Sequence, residues 1–301
     1  MKQKILLRQS TLWVHLLMLL TIALIATSFP IGKIIAKALP AEVMMLLRFV
    51  FAAVLFAPYV FYRNGLHIPA RTFLARYALL SVPLTIFFWC MFESLRYTSA
   101  TNTAALYTTV PAITAVFAWL INRETTNKSK RFGLALGTLG AIWIIFRGDL
   151  AALMALQLNY GDLLFFVGSL AMGLYSPLIK RLYRSEAMEV MTFWVIFFSG
   201  LWMFLLSLGK LPSIAWQAVG VDVFFSLLYL AFFTTVVSFF LLQFATVKIG
   251  STRVAAYSFL NPIFVLLMTT YLGLDTFSFA LLPGIVLIVS AMLLVQRGAG
   301  S

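Results

Sequence analysis

Ten long apolar runs, at residues 11–36, 41–62, 74–97, 102–121, 131–147, 160–181, 189–208, 220–246, 252–272 and 277–295, limit what this chain can become. A helix needs about 20 mostly apolar residues to cross the hydrocarbon core of a bilayer. Ten such spans leave about 100 of the 301 residues for ends and connections, too few for a separate soluble domain. The runs are continuously apolar rather than alternating, which excludes a transmembrane barrel. Composition agrees: 62% of residues are hydrophobic and 10% charged, more apolar surface than a soluble fold of this length can hide. The expectation is an all-α integral membrane protein with ten transmembrane helices.

Charge sets the expected orientation. Lys2, Lys4 and Arg8 precede the first run, and Ala36-Lys37-Ala38 loosely resembles a signal-peptide cleavage site. The run exceeds the 7–15 residues of a signal core and nine more follow, so it is read as a retained first span. With the N-terminus inside, 16 of the 22 Lys+Arg fall in inside regions, 5 fall outside, and Arg48 lies within span 2. The positive-inside bias makes both termini cytoplasmic in a multi-pass protein of the cell (inner) membrane. The net charge of +13 would suggest nucleic acid in a soluble protein, but no aromatic-interleaved basic patch accompanies it and no nucleic-acid partner is expected.

The chain also matches itself. A shift of 147 pairs Pro30 with Pro177, Lys33 with Lys180, Glu42 with Glu189, Val43 with Val190 and Met44 with Met191. A shift of 151 pairs Thr101 with Thr252, Ala104-Ala105 with Ala255-Ala256, Pro111 with Pro262, Glu124 with Asp275 and Gly133 with Gly284. Pairings of Pro, Lys and acidic residues carry the signal, because each is rare here. Two five-span repeats, at 1–150 and 151–301, cross the bilayer in opposite directions because five is odd. Inverted repeats of this kind recur in secondary transporters, where one half rocks against the other around a midplane site.

Pro30-Ile31-Gly32-Lys33, Pro40 and Arg48 form one pattern; Ala104-Ala105 to Pro111 to Glu124, echoed by Ala255-Ala256 to Pro262 to Asp275, forms another. In these features the chain resembles the drug/metabolite transporter superfamily, above all its EamA-type branch. It departs where that branch commonly has a tryptophan-glycine pair in span 1; here Thr27-Ser28 stands. The resemblance implies a central cavity enclosed by spans 1, 3, 4, 6, 8 and 9, with spans 5 and 10 peripheral. It also implies export of amino acids or related small metabolites, by proton coupling or facilitated diffusion.

The polar residues inside the spans are the candidates for substrate binding: Arg48, Trp89, Glu93, Asn102, Tyr107, Tyr229, Gln243, Tyr257, Ser258 and Asn261. A charge inside a span faces the bundle interior or water, so Arg48 and Glu93 either pair with each other as a staple or bind a carboxylate and a cation or proton. Trp89, Tyr107, Tyr229 and Tyr257 would make an aromatic-lined pocket with Gln243 as a polar handle. Pro30, Pro111, Pro177 and Pro262 each free a carbonyl and are read as hinge or cavity prolines. A hydroxyl four residues before a proline, as at Tyr107 and Ser258, can bond that carbonyl instead of a substrate. The site is placed near the midplane between spans 3, 4, 8 and 9, around Trp89, Tyr107, Tyr257 and Asn261.

Catalytic chemistry is thin. His15 and His67 belong to no ligand pattern, Cys90 is alone, and there is no Walker loop, so neither enzyme activity, metal nor cofactor is expected. The expected partners are a small-molecule metabolite, the lipid bilayer and, as a coupling ion, the proton; the chain is expected as a monomer or weak dimer. The sequence thus points to a secondary transporter working by alternating access, an amino-acid or metabolite exporter first. A multidrug or toxic-compound efflux pump and an uptake carrier of the same fold are the alternatives.

Overall fold

The computed structural model describes residues 2–65, 68–125, 127–149, 151, 158–274 and 276–297. Span 1 is Lys2–Ile35, span 2 Ala41–Asn64 and span 3 Arg71–Ser94. Span 4 comprises two helices, Ala100–Tyr107 and Val110–Asn122. Span 5 is Lys128–Ile145, span 6 Tyr160–Leu182 and span 7 Met188–Ser207. Span 8 runs Val221–Ala231, then a π-helical segment Phe232–Val237, then Ser238–Ile249. Span 9 runs Ser251–Ala256, a 3-10 turn Tyr257–Leu260, then Asn261–Tyr271; span 10 is Leu282–Arg297. Spans 4 and 9 are therefore discontinuous where the apolar runs predicted unbroken helices. Proline is the physical reason, since Pro111 and Pro262 have no N–H to close the ladder.

Nine of the described spans are long and apolar enough to cross a membrane. Span 5 is the tenth, shortened as an apolar segment by Lys128, Lys130 and Arg131 in its first turn. It packs along span 10. A Cβ on Gly140 would stand 2.9 Å from the Gly284 carbonyl oxygen, and one on Gly284 would stand 3.0 Å from that of Gly140. Membrane helices associate through such small residues, because lipid offers no hydrophobic drive to bring them together.

The bundle has two ends. The near end, where span 1 begins, carries the connections around residues 65–70, 123–127, 183–187 and 250; the far end carries those around 36–40, 95–99, 208–220 and 272–278. Side-chain caps start several helices: Ser99 accepts from Asn102 N, Asn127 from Lys130 N, and Asn159 with Asp162 forms a capping box on span 6. Large apolar residues such as Leu16, Val54, Phe225 and Val286 stay exposed around the outside, as a bilayer solvent requires.

Spans 2 and 7 pack against each other through Phe49, Gly200 and their neighbours. An ion pair closes each end of this contact. Glu42 meets Lys210 at the far end, and Glu189 meets Arg63 at 3.2 Å at the near end. The shift of 147 that relates the halves carries Glu42 onto Glu189 and Arg63 onto Lys210. The two clasps are one arrangement used twice, inverted.

Candidate functional site

The two broken spans meet at their breaks. In a regular helix the Pro111 nitrogen would have served the Tyr107 carbonyl, four residues back. That oxygen instead receives the Ser258 hydroxyl, 3.4 Å away, from the 3-10 turn of span 9. Tyr107 and Ser258 are themselves related by the shift of 151. The released carbonyl is thus served from the opposite half, not by a hydroxyl of its own helix. Around the crossing, the Thr108 and Thr109 hydroxyls donate back to the Ala105 and Leu106 carbonyls at 2.6 and 2.7 Å. Asn261, next in chain order after the turn, is wholly buried, and among the described residues neither its amide oxygen nor its amide nitrogen has a hydrogen-bond partner.

Arg48 is also wholly buried, and its partners lie in the π-helical segment of span 8. Nε donates to Thr235 Oγ1 at 2.8 Å, and one terminal nitrogen donates to Thr234 Oγ1 and O at 2.6 and 3.2 Å. The guanidinium carbon stands 4.3 Å from the Phe88 ring centre and 5.4 Å from that of Phe92, while the other terminal nitrogen has no partner. Of the two readings for Arg48 and Glu93, the pair with each other does not form. Glu93 lies at the far end beside Arg96, at 3.7 Å, and accepts from the Tyr97 hydroxyl at 3.2 Å. The guanidinium instead finds hydroxyls and a carbonyl in the π segment, where the helical ladder is already disturbed. The signal for this was Thr234-Thr235, a polar pair inside the apolar run of span 8.

The four aromatics expected around one pocket stand apart. Tyr107 packs in a cluster with Phe29, Phe87 and Phe165, ring centres 5.5–6.4 Å away. Tyr229 donates to Thr27 Oγ1 at 3.2 Å and meets the Phe233 ring at a tilt of 36°, ring centres 5.1 Å apart. Tyr257 meets the His15 ring from span 1. Trp89 lines a far-end cavity of 360 Å³ together with Lys37, Glu42, Glu93, Arg96 and Lys210. Gln243 is engaged at both ends of its amide, accepting from Thr192 at 2.5 Å and donating to the Tyr175 hydroxyl at 2.8 Å. Asn102 sits in the first turn of span 4, half-buried.

Of the prolines, Pro30, Pro83 and Pro177 lie inside helices and Pro111 and Pro262 start one. The Pro177 carbonyl accepts from Asn122 Nδ2 at 3.0 Å, linking the end of span 4 to span 6. The paired lysines diverge. Lys33 donates to the carbonyls of Leu95 and Thr98 at 2.8 and 2.7 Å, within its own half. Lys180 pairs with Glu124 of the other half at 2.9 Å, and Ser251 donates to the same carboxylate oxygen at 2.9 Å. Asp275 and His67 lie outside the described residues.

Ten spans in inverted halves, joined by broken helices over a buried polar interior, define a multi-pass membrane transporter of inverted-repeat design. The family model of the EamA-like transporters matches residues 12–146 and again 159–297. The chain belongs to that family, within the drug/metabolite transporter superfamily. It is similar to a protein of Archaeoglobus fulgidus described as an uncharacterized transporter, 26% identical over 260 residues, spanning 85% of this chain and 88% of the other. The Bacillus subtilis uncharacterized transporter YetK is 22% identical over 275 residues, 90% of this chain and 82% of its own. A solved crystal structure shares the fold, with a TM-score of 0.73 at 16% identity over 93% of this chain and 95% of that one.

Proposed function

We propose that the protein is a secondary transporter that exports amino acids or related small metabolites by alternating access. We place it in the cell (inner) membrane with both termini cytoplasmic. The observation that carries the mechanism is the crossing of spans 4 and 9, where Ser258 serves the carbonyl freed by Pro111 from the opposite half. A contact on the pseudo-twofold axis, made by breakable helices, lies where a rocking motion needs its pivot. The substrate site is placed beside it, between spans 3, 4, 8 and 9. Asn261 there offers both a donor and an acceptor, and amino and carboxyl groups need one of each. The far-end cavity with Glu42, Glu93, Lys37, Arg96 and Lys210 presents both signs of charge and suits a zwitterion in transit.

Counterflow in proteoliposomes, with amino acids as the labelled solutes and a toxic-analogue panel beside them, tests the reading. Saturable exchange is expected, reduced at least tenfold by Asn261→Leu in protein that stays folded. Non-saturable flux, or none, overturns it. Exchange of the toxic analogues alone would make the protein an efflux pump. An imposed pH gradient that leaves exchange unchanged would remove the proton as coupling ion. Single cysteines at 107 and 257 in a Cys90→Ala background locate the site: substrate protection of neither places it elsewhere. Periplasmic activity of a reporter fused after Ser301 would reverse the orientation.

A further inference from the structure

A second cavity lies at the near end, away from the crossing. It encloses 380 Å³ between spans 2, 3 and 7, within the size range of small-molecule sites. Its walls include Phe61, Phe73, Tyr77 and Trp194, and Glu186 and Asn64 supply its polar groups. Tyr77 is buried, so it is no lipid-facing anchor of the kind aromatic belts provide. Its hydroxyl donates to Glu186 Oε1 at 3.5 Å, and the Arg184 backbone N–H donates to Oε2 at 2.6 Å. Among the described residues, no Lys, Arg or His side chain comes within ion-pair distance of this carboxylate.

Three of the cations nearby have other contacts: Arg63 pairs with Glu189, Arg184 donates to the carbonyls of Arg181 and Tyr183, and Arg76 lies over the ring of Phe73, a wall of the cavity, at 5.2 Å. A carboxylate with no counter-cation among the described residues, framed by aromatic rings, is the chemistry that recognises an organic ammonium ion. The ring faces attract the cation and exclude water, and the carboxylate neutralises it. The cavity lies level with the end of span 2 and the first turns of spans 3 and 7, at the depth of a headgroup.

We propose that this cavity binds an ammonium group, either the amine of a lipid headgroup or a free organic amine. The probe is benzyltrimethylammonium, titrated calorimetrically into the purified full-length protein in maltoside micelles. Its uncharged isostere neopentylbenzene is the control. Saturable binding of the cation alone is expected, weakened at least tenfold by Glu186→Gln and unchanged by Glu189→Gln, whose carboxylate serves the clasp. Trp194→Leu should also weaken it, and it keeps the test open if Glu186→Gln fails to fold. In nanodiscs, weaker probe binding in phosphatidylethanolamine than in phosphatidylglycerol identifies the headgroup as the source; equal binding in both identifies a free amine. Absence of saturable binding by the folded wild type, equal affinity in both carboxylate variants, or equal binding of the isostere overturns the proposal.

Discussion

The contact between spans 2 and 7 keeps the symmetry of the repeat, whereas the interior contacts made by Arg48 of span 2 and by spans 1, 6, 8 and 9 depart from it. In the first region, the ion pairs Glu42–Lys210 and Glu189–Arg63 map onto each other under one shift. In the second, Lys33 holds carbonyls of its own half while its mate Lys180 reaches across to Glu124. Arg48 clamps the π segment of span 8, but its mate is Val195; Asn261 is buried and unpartnered, but its mate is Val110. A perfectly symmetric interior would give states open to opposite sides the same energy. Each unmatched contact biases that equilibrium by its differential strength.

The largest effect is expected where asymmetry is deepest. Replacing both Thr234 and Thr235 by Val leaves the Arg48 guanidinium buried with most of its partners gone, at a cost on the order of 3 kcal/mol. Arg48→Met alone removes the charge with its partners and should stay within about 1 kcal/mol of wild type, yet lose transport at least tenfold. Adding Arg48→Met to the threonine pair should restore stability. Denaturant unfolding in micelles reads all three, and a double threonine variant as stable as wild type would show that no clamp exists.

The helix crossing comes next. Ser258→Ala strips the Tyr107 carbonyl of its donor and should cost about 1 kcal/mol, the low end for a bond of this length. Pro111→Ala returns an N–H to that carbonyl, so the serine substitution should become nearly silent in that background. Additive losses would mean that Ser258 acts elsewhere.

Smaller still are the lysines. Lys180→Met should cost less as salt rises, because its partner lies in a half-open ion pair; Lys33→Met should be salt-insensitive, since it loses bonds to carbonyls. A common salt dependence would erase the distinction drawn between them. Smallest of all, Glu42→Gln and Glu189→Gln should each cost under about 1 kcal/mol and agree within a few tenths. Unequal losses there would break the symmetry claimed for spans 2 and 7.

Much of the architecture was legible because bilayers impose one rule, and that rule writes itself as apolar length. The spans and the inverted repeat follow from runs and rare-residue pairings. The span breaks were only half legible: Pro111 and Pro262 were visible, but proline is tolerated in membrane helices, so it signals opportunity rather than a break. Arg48 was read as facing the interior, where it is buried, but pairing with Glu93, one of the two readings, could not be decided, because depth along a helix says nothing about azimuth. Arg48 approaches Phe92, yet the carboxylate of the next residue, Glu93, turns to Arg96 and Tyr97. The His15–Tyr257 contact was illegible, since 242 residues separate the pair and neither belongs to a motif.

Span 8 covers 29 residues from Val221 to Ile249, whereas its counterpart in the first half, span 3, covers 24. At 1.5 Å per residue, the longer helix measures about 43 Å against a hydrocarbon thickness of about 30 Å. The excess must be taken up by tilt, by bending at residues 232–237, or by ends that protrude into the headgroups. Span 3 carries a smaller surplus, at about 36 Å in all. Hydrophobic mismatch therefore acts unequally on the two halves, by fractions of a kcal/mol per ångström. Bilayer thickness becomes a thermodynamic variable of the protein: thinning the membrane steepens the demand on the second half more than on the first.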